Sequence, residues 1–328
     1  MKVDDKMSFS SETKKELAKV MPDKKCCMLA EIAGFARIAG SIRLKGGGRV
    51  SVSLTSEDPA VARTLKKLTS CYFEAETGIE VIEGRTLRPG RSYRLTFMDD
   101  VMGGQVLRET GMLKVHEGSN ILVDGIDPGI VRKKCCRRAY LRGLFMAGGS
   151  VSDPEKEYHL EIVCSDEQTA GDIRKLMNQF SLGAKVVQRR GSFVIYIKDS
   201  EHIVDFMNIT GAHNQLLSFE NTRIMKSMRN AANRIVNCES ANADKTVNAA
   251  LRQIENIRYI DENLGLENLP PRLRSAAELR LENPELSLGE LAGMMNPPVS
   301  KSGLNHRFSK IAEQADKLRE EKSSDAQN

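Results

Sequence analysis

The sequence predicts an α+β N-terminal domain, made of two αββαββα copies related by a pseudo-twofold axis, and an all-α C-terminal domain. The first observation behind this is a repeat. The motif Lys-Lys-Cys-Cys at residues 24–27 recurs 109 residues later at 133–136, and eight of the eighteen positions in 24–41 are identical in the second stretch. The second observation is that each copy continues with segments in which apolar and polar residues alternate, as in strands, and with amphipathic segments typical of helices. The third is that after Phe219 only helical patterns remain.

Each copy opens with a helix that contains glycine. The paired glycines are Gly34 with Gly143, and Gly40 with Gly149. A glycine inside a helix costs about 1 kcal/mol relative to alanine, so these helices need a compensating gain. Close approach of two backbones supplies one, because small residues three and four apart share a flat helix face. We therefore predict that the two glycine helices pack tightly against each other.

The remaining elements of the first domain follow from periodicity, in the same order in both copies. In the first copy we predict a strand at 50–54, a helix at 56–68, strands at 80–83 and 93–97, and a helix at 101–111. In the second copy we predict a strand at 160–164, a helix at 167–180, strands at 185–188 and 193–197, and a helix at 201–211. The domain is placed at 8–218, with its copies at 8–125 and 126–218.

The C-terminal part begins with a basic, asparagine-rich segment at 219–268, interpreted as a helical linker with one apolar stripe. Residues 269–318 then predict three helices. The first covers 272–282, the second opens on a capping box of Ser287 and Glu290, and a short turn at 296–299 leads to a third helix. Two short helices joined by a tight turn form a helix-turn-helix. Residues 319–328 are expected to form a tail without order.

The third helix has one apolar face, made by Leu304, Phe308, Ile311 and Ala315. The polar residues around it are the candidate DNA contacts: Ser300, Lys301, Ser302, Asn305, His306, Arg307, Ser309 and Lys310. Asparagine pairs with adenine through two hydrogen bonds, whereas arginine, lysine and serine suit phosphate or guanine. The alternative is a helical hairpin that does not bind DNA or that docks a protein.

The positive charge is concentrated in one place. The chain carries a formal net charge of +5, which alone does not imply a nucleic-acid partner. Residues 130–152, however, contain six basic residues and no acid. Five of them are candidate phosphate contacts, Arg132, Lys133, Lys134, Arg137 and Arg138; the sixth, Arg142, lies within the glycine helix. The alternative is a solvated helix end.

The seven cysteines include two adjacent pairs and no CxxC spacing. Adjacent residues on one helix point about 100° apart, which is poor geometry for one metal ion, so we expect no metal and no cofactor. Cys26, Cys27, Cys135 and Cys136 are interpreted as small apolar residues in a reducing cytoplasm. No apolar run approaches the ~18 residues of a membrane span, and the N-terminal residues lack a signal-peptide core. These features predict a cytoplasmic protein without membrane contact.

The glycine helices resemble the LAGLIDADG helices of homing endonucleases, in which two such helices pack along a pseudo-twofold axis. The resemblance implies that the eighth motif position should be a metal-binding acid, because Mg²⁺ requires oxygen ligands. Ala39 and Gly148 occupy that position here, and Arg37 and Met146 occupy the sixth, which is often aspartate. The resemblance therefore implies the fold without a catalytic site, and we expect no enzyme activity.

Nearly the whole chain resembles the WhiA family. The segments that carry the resemblance are 233–242, 245–247 and 299–307, together with the degenerate LAGLIDADG helices. The resemblance implies a DNA-binding transcription factor of cell division, chromosome segregation or sporulation, associated with the nucleoid. The implied partners are double-stranded DNA and RNA polymerase or a sigma factor. Because the duplication supplies its twofold packing internally, we expect a monomer. The alternative is a scaffold that binds a protein or effector and uses DNA as an address.

Overall fold

A computed structural model describes residues 7–46, 49–83, 91–97, 102–117 and 119–325 of the chain. These residues form two compact units, Met1–Lys226 and Ser227–Asn328. The loop 84–90, which is expected to lengthen the first copy, lies outside the described residues, as does the predicted start of a helix at residue 101.

The first unit contains two copies of the αββαββα order, as predicted. A short helix, α1 (Phe9–Leu17), precedes both copies. The first copy comprises α2 (Lys25–Ala39), β1 (Gly40–Gly46), β2 (Arg49–Ser56), α3 (Pro59–Phe73), β3 (Thr77–Glu83), β4 (Arg91–Phe97) and α4 (Met102–Glu109). A hairpin of β5 (Leu113–His116) and β6 (Ser119–Leu122) joins it to the second copy. That copy comprises α5 (Lys134–Gly148), β7 (Gly149–Val151), β8 (Leu160–Cys164), α6 (Glu167–Asn178), β9 (Lys185–Arg189), β10 (Ser192–Ile197) and α7 (Ser200–Thr210).

Each copy forms its own antiparallel four-stranded sheet. The strand orders are β1-β2-β4-β3 and β7-β8-β10-β9, so the two sheets have the same topology. Alternation on the second strand of each sheet buries one face: Val52 and Leu54 in β2, and Leu160 and Ile162 in β8. The common topology supports the duplication inferred from the repeated motif.

The two glycine helices, α2 and α5, pack directly against each other. A Cβ atom added to Gly34 would lie 2.3 Å from the carbonyl oxygen of Tyr140, and one added to Gly143 would lie 2.1 Å from that of Glu31. Such distances leave no room for any side chain at either glycine. The prediction of close backbone packing is therefore confirmed, and this contact compensates for the cost of helical glycine.

The second unit is entirely helical in its described part. Its elements are the C-terminal portion of α8 (His213–Asn263), a 3₁₀ turn at Leu266–Asn268, α9 (Pro271–Glu282), α10 (Leu288–Met294) and α11 (Lys301–Asp325). Ile257 and Ile260 of α8 are fully buried in the core that these helices share, although both residues belong to the predicted linker. The apolar stripe expected on α8 is only partly buried, since Val247 and Leu251 are exposed.

Residues 319–325 are helical in the structure, whereas we expected a tail without order from residue 319 onward. α11 continues to Asp325, because its side chains bind partners on α8. The guanidinium of Arg319 lies 4.8 Å from the Tyr259 ring centroid, and its Nη2 donates to Asn256 Oδ1 over 2.9 Å. Lys322 donates in turn to the Asn263 amide oxygen. Only residues 326–328 of the expected tail lie outside the described range.

Candidate nucleic-acid interface

The position of α11 is set by the caps and turn that precede it. Ser287 Oγ accepts from the Glu290 amide, and Glu290 Oε2 accepts from the Ser287 amide over 2.8 Å, so the predicted capping box is present. After the turn, the Val299 amide donates to the Ala292 carbonyl oxygen over 3.0 Å. Ser300 Oγ then accepts from the Gly303 amide over 3.1 Å. These bonds satisfy free donors at both helix starts and fix the angle at which α11 leaves the turn.

One face of α11 is buried as predicted. Leu304, Ile311 and Ala315 are almost fully inaccessible, and Phe308 is 4% exposed. The guanidinium of Arg280 lies 5.5 Å from the centre of the Phe308 ring. The helix phase on which the candidate DNA contacts were chosen is therefore right.

Arg280 is a buried charge that the sequence did not distinguish from its neighbours on α9. It is 1% exposed, and burial lowers its pKa. Its Nε donates to Gln253 Oε1 over 3.0 Å, and its Nη1 donates to the Leu286 carbonyl oxygen over 2.6 Å. A buried charge requires such hydrogen-bond partners. Through them, Arg280 of α9 connects α8 to the loop before α10.

The opposite side of α11 is exposed, and we call it the open face. Its members are Lys301, Ser302, Asn305, His306, Ser309 and Lys310, with the capping residue Ser300 beside them. Within the described chain, the side chains of Lys301, Asn305 and His306 make no hydrogen bond or salt bridge. The Asn305 amide therefore keeps both its donors and its acceptor available to a ligand.

Other candidate contacts have intramolecular partners. Arg307 is only half-exposed, and its Nη1 donates to the Arg272 carbonyl oxygen over 3.3 Å. Lys310 forms a 2.7 Å salt bridge with Glu313. Ser302 and Ser300 share a hydrogen bond of 3.1 Å between their hydroxyls, and Ser309 Oγ donates to the Asn305 carbonyl oxygen. All these bonds lie near the protein surface, where replacing them with bonds to a ligand costs little free energy.

The basic residues of the basic segment, residues 132–138, differ in their exposure to solvent. Arg132, Lys133, Lys134 and Arg138 are exposed. Arg137 is half-buried, and its Nε donates to the Val131 carbonyl oxygen over 2.8 Å while its Nη2 donates to that of Arg132 over 3.2 Å. Arg137 therefore supports the turn before α5, and four of the five candidate phosphate contacts remain open to solvent.

Arg142 is part of a buried ion pair rather than of the basic surface. Its Nε donates to Glu31 Oε2 over 2.9 Å, and its Nη1 donates to the Thr210 carbonyl oxygen over 3.1 Å; Nη2 also contacts Glu31. Burial raises the pKa of Glu31 to about 7, although the charge of Arg142 acts in the opposite direction. The pair joins α2 to α5 across the twofold axis.

The positions of the nuclease acids lie at the C-terminal ends of the two glycine helices. Ala39 ends α2 and Gly148 ends α5. A Cβ atom at Gly148 would lie 2.5 Å from Ile38 Cγ2. Nearby Arg37 donates from Nη1 to the Val123 carbonyl oxygen over 2.7 Å. These positions supply no carboxylate oxygen, which a hard divalent cation would require.

The N-terminal ends of the same helices hold a cysteine cluster, Cys26, Cys27, Cys135 and Cys136. Their four sulfur atoms lie within 4.8 Å of one another, and the described residues contain no other such cluster of His, Cys, Asp or Glu. Burial raises the pKa of Cys27, and raises that of Cys136 to about 11; a hydrogen bond from Cys27 lowers the pKa of Cys135. Considering one helix at a time did not reveal this convergence, because the second pair comes from the other copy.

Among the described residues, no helix combines the length and the apolar character needed to cross a bilayer.

Three family descriptions match consecutive parts of the chain. The WhiA N-terminal LAGLIDADG-like domain matches residues 25–113, the WhiA LAGLIDADG-like domain matches 137–229, and the WhiA C-terminal HTH domain matches 232–315. The last of these includes the open face and begins close to the boundary between the two units.

Relatives match along almost the full length. The chain is 43% identical to the probable cell division protein WhiA of Alkaliphilus metalliredigens, over 95% of this chain and 99% of that protein. It is 46% identical to the probable cell division protein WhiA of Thermoanaerobacter pseudethanolicus, over 96% and 99%. The crystal structure of full-length DUF199/WhiA from Thermatoga maritima matches with a TM-score of 0.58 and 29% identity, over 95% of this chain and 99% of that one. The chain therefore belongs to the WhiA family.

Proposed function

We propose that this chain is a sequence-specific DNA-binding regulator of transcription that acts in bacterial cell division, chromosome segregation or sporulation. The observation that carries the proposal is the open face of α11, where polar and basic residues are exposed on a helix whose other side is buried. The names of the relatives support the link to cell division.

The open face has the chemistry required to read the major groove. An α-helix fits that groove, and the second helix of a helix-turn-helix reads bases with its N-terminal residues. Asn305 lies in the second turn of α11 and suits the two hydrogen bonds that adenine offers. Lys301 and His306 flank it, and Ser300 and Ser302 lie at the helix start, where free amides attract phosphate.

The exposed members of the basic segment are proposed to contact DNA phosphates. Arg132, Lys133, Lys134 and Arg138 follow one another along the turn before α5 and its first turns. Phosphate contacts contribute affinity without sequence preference, so this surface would complement base reading by α11. Arg137 is excluded from the group because it already donates to two backbone carbonyls.

The same proposal describes a regulator without nuclease activity. Ala39 and Gly148 leave the ends of α2 and α5 without the oxygen ligands that metal-dependent hydrolysis of DNA requires. Incubation with plasmid and promoter DNA in Mg²⁺ or Mn²⁺ should therefore leave the DNA intact. Divalent-dependent cleavage that co-purifies with the protein would overturn this part.

The proposed partners are double-stranded DNA and, for regulation, RNA polymerase or a sigma factor, with the protein located in the cytoplasm on the nucleoid. We propose a monomer in the absence of DNA, because α2 and α5 already form within one chain the twofold contact that a single-copy protein would form by dimerising. Sedimentation should show a single chain at micromolar concentration, and a stable dimer would contradict this.

The proposed function is tested by selecting fragments of genomic DNA with the full-length protein and mapping the bound sites by footprinting. The expected result is a small set of sites that share one motif. Placing a negative charge on the open face, with Ser302→Asp or His306→Asp, should abolish the footprints. Lys317→Asp is the matched control, because Lys317 is exposed on the same helix about 18 Å beyond Asn305. Equal recovery of all fragments, or footprints that survive both open-face substitutions, would overturn the proposal.

A further inference from the structure

The cysteine cluster lies on the axis that relates the two copies. Each adjacent pair occupies the second and third positions of a glycine helix, Cys26 and Cys27 in α2 and Cys135 and Cys136 in α5. Cys27 and Cys136 are buried, whereas Cys26 and Cys135 are partly accessible. Neither residue before the helices, Lys24 or Lys133, caps its helix with a side-chain hydrogen bond.

Two helices together can direct four cysteine side chains towards one point, which a single helix with two adjacent cysteines cannot do. Adjacent cysteines on one helix diverge by about 100°, so one pair alone holds an ion poorly. Here the twofold axis sets a second divergent pair against the first, and all four sulfur atoms come within 4.8 Å. Tetrahedral coordination with metal–sulfur bonds of about 2.3 Å requires sulfur–sulfur distances of roughly 3.8 Å. The sulfur–sulfur distances therefore need to shorten by at most about 1 Å, which is within reach of small rotations about the cysteine χ1 angles.

The surroundings favour the charge that such a site would carry. Four thiolates and one divalent ion leave a net charge of −2, which positive groups must offset. Both pairs lie in the first turn of a helix, where the free backbone amides make the local potential positive. Lys24 and Arg138 line a cavity of about 520 Å³ with Cys27 and Cys135, and Arg132 and Lys133 line one of about 280 Å³ with Cys26 and Cys136. These cavities also give an ion and a chelator access from solvent.

We propose that Cys26, Cys27, Cys135 and Cys136 bind one tetrahedral thiophilic divalent ion, with Zn²⁺ as the natural occupant. Soft thiolate ligands select such ions over Mg²⁺ and Ca²⁺, and four protein ligands close the coordination sphere, which is typical of a structural site. Binding releases four thiol protons as four metal–sulfur bonds form, without a change of oxidation state. This role goes beyond the interpretation of these cysteines as small apolar residues.

The site would act as a clamp between the two copies. Its ligand pairs are separated by 109 positions in the sequence, so the ion would cross-link distant parts of the chain at the start of both central helices. An ion that binds the folded state and not the unfolded chain raises the unfolding temperature. The role is independent of DNA binding by α11, so either proposal can fail without the other.

The test uses the full-length protein, purified under reducing, anaerobic conditions, stripped with a chelator and titrated with Co²⁺. The expected result is one equivalent of Co²⁺ per chain, with the thiolate charge-transfer and visible bands of a tetrahedral site, and displacement by Zn²⁺. Cys26→Ser with Cys135→Ser should lose this binding and the rise in melting temperature. Cys71→Ser with Cys238→Ser is the matched control, because both residues are exposed and outside the cluster, and it should bind as the wild type does.

A second readout keeps the proposal falsifiable if the cluster variant fails to fold. In the wild-type chain, Zn²⁺ should protect the partly accessible Cys26 and Cys135, and not Cys71 or Cys238, from alkylation mapped by mass spectrometry. Three results would overturn the proposal: no stoichiometric uptake by the folded wild type, uptake that survives in the folded cluster variant, or alkylation that Zn²⁺ leaves unchanged. Recovery of Cys26–Cys136 and Cys27–Cys135 disulfides from the reduced preparation in place of metal would also overturn it.

Discussion

Two regions of this protein are each built on a pair of helices, and the two pairs bury their faces to different extents. In the α2–α5 pair, glycines bring the helices into backbone contact, and the charged residues Glu31 and Arg142 are enclosed between elements of the first unit. In the α10–α11 pair, a short turn separates the helices and only one side of α11 is buried, which leaves Asn305 and its neighbours in solvent.

The difference shows what each pair can contribute to function. Side chains in the closed pair have intramolecular partners, so substitutions there should change stability and leave sequence preference alone. Side chains on the open face of α11 are exposed and have either no intramolecular partner or only a partner at the surface, so their substitution should change ligand binding and leave the fold alone. The following predictions test this separation.

The largest effect is expected from Phe308→Ala, which removes a buried aromatic from the core beneath α11. Such truncations cost about 3–5 kcal/mol, and the helical core around Phe308 is small. Hydrogen exchange on the full-length protein should show loss of protection in residues 227–325, and footprinting should show loss of sequence-specific DNA binding. Lys317→Ala, at an exposed position of the same helix outside the open face, is the control and should keep both. Normal protection and binding in Phe308→Ala would contradict the assigned helix phase.

Arg142→Met should destabilise the closed pair, because it leaves the buried carboxylate of Glu31 without its counter-ion. Breaking a buried pair in this way costs about 3–5 kcal/mol. The double substitution Glu31→Leu with Arg142→Met should recover most of the loss, and Arg138→Met, on the exposed side of the same helix, should cost little. The sequence preference for DNA of the folded fraction should not change.

The destabilisation by Arg142→Met should depend on pH. The pKa of Glu31 in the folded protein, about 7, lies above its ordinary value of 4.5, so the native state holds a proton that the unfolded chain loses. Native stability therefore falls as pH rises from about 4.5 towards 7, and loss of Arg142 raises the folded pKa further. Denaturant unfolding should show a larger destabilisation at about pH 8 than at about pH 5.5. Equal losses at the two pH values would indicate a packing defect instead.

The basic segment should affect affinity without affecting sequence choice. Lys134→Glu with Arg138→Glu should weaken binding to operator and random DNA alike. The slope of the logarithm of the binding constant against the logarithm of the salt concentration should become shallower by about one for each phosphate that is no longer neutralised by a protein cation. The matched control is Lys66→Glu with Lys67→Glu, two exposed lysines on α3. An unchanged salt slope would identify the basic segment as a solvated helix end.

The sequence predicted the element order well because the order occurs twice. The repeated cysteine motif and glycines indicated a duplication, and alternation such as that of Val52 and Leu54 located strands within a few residues. The predicted order includes a strand directly after each glycine helix, but β1 and β7 were given no residue range because they begin at Gly40 and Gly149, directly after a helix and without a turn signal. The helical continuation of residues 319–325 was missed because it depends on Tyr259 and Asn256 of α8, which are distant in sequence.

Side-chain environments were predictable only where one helix determines them. The burial of Leu304 and Phe308 follows from the phase of α11 alone, and so does the exposure of Asn305. The burial of Arg280, the internal bonds of Arg137 and the meeting of the four cysteines each depend on a second element that sequence periodicity does not place. The cysteines are the clearest case, since one helix alone gives no sign of the four sulfur atoms that two helices bring within 4.8 Å of one another.

The most direct test of base reading by the open face is the ratio of operator affinity to random-DNA affinity, measured on the full-length protein with Asn305→Ala. The Asn305 side chain makes no hydrogen bond within the described chain, so its removal should leave the melting temperature unchanged. We predict a loss of about 1–3 kcal/mol at the operator, with random-DNA affinity unaltered. Lys317→Ala, on the same helix, should leave the ratio as in the wild type. An unchanged ratio in Asn305→Ala, with the operator still bound at wild-type affinity, would contradict the assignment of α11 as the element that reads the sequence.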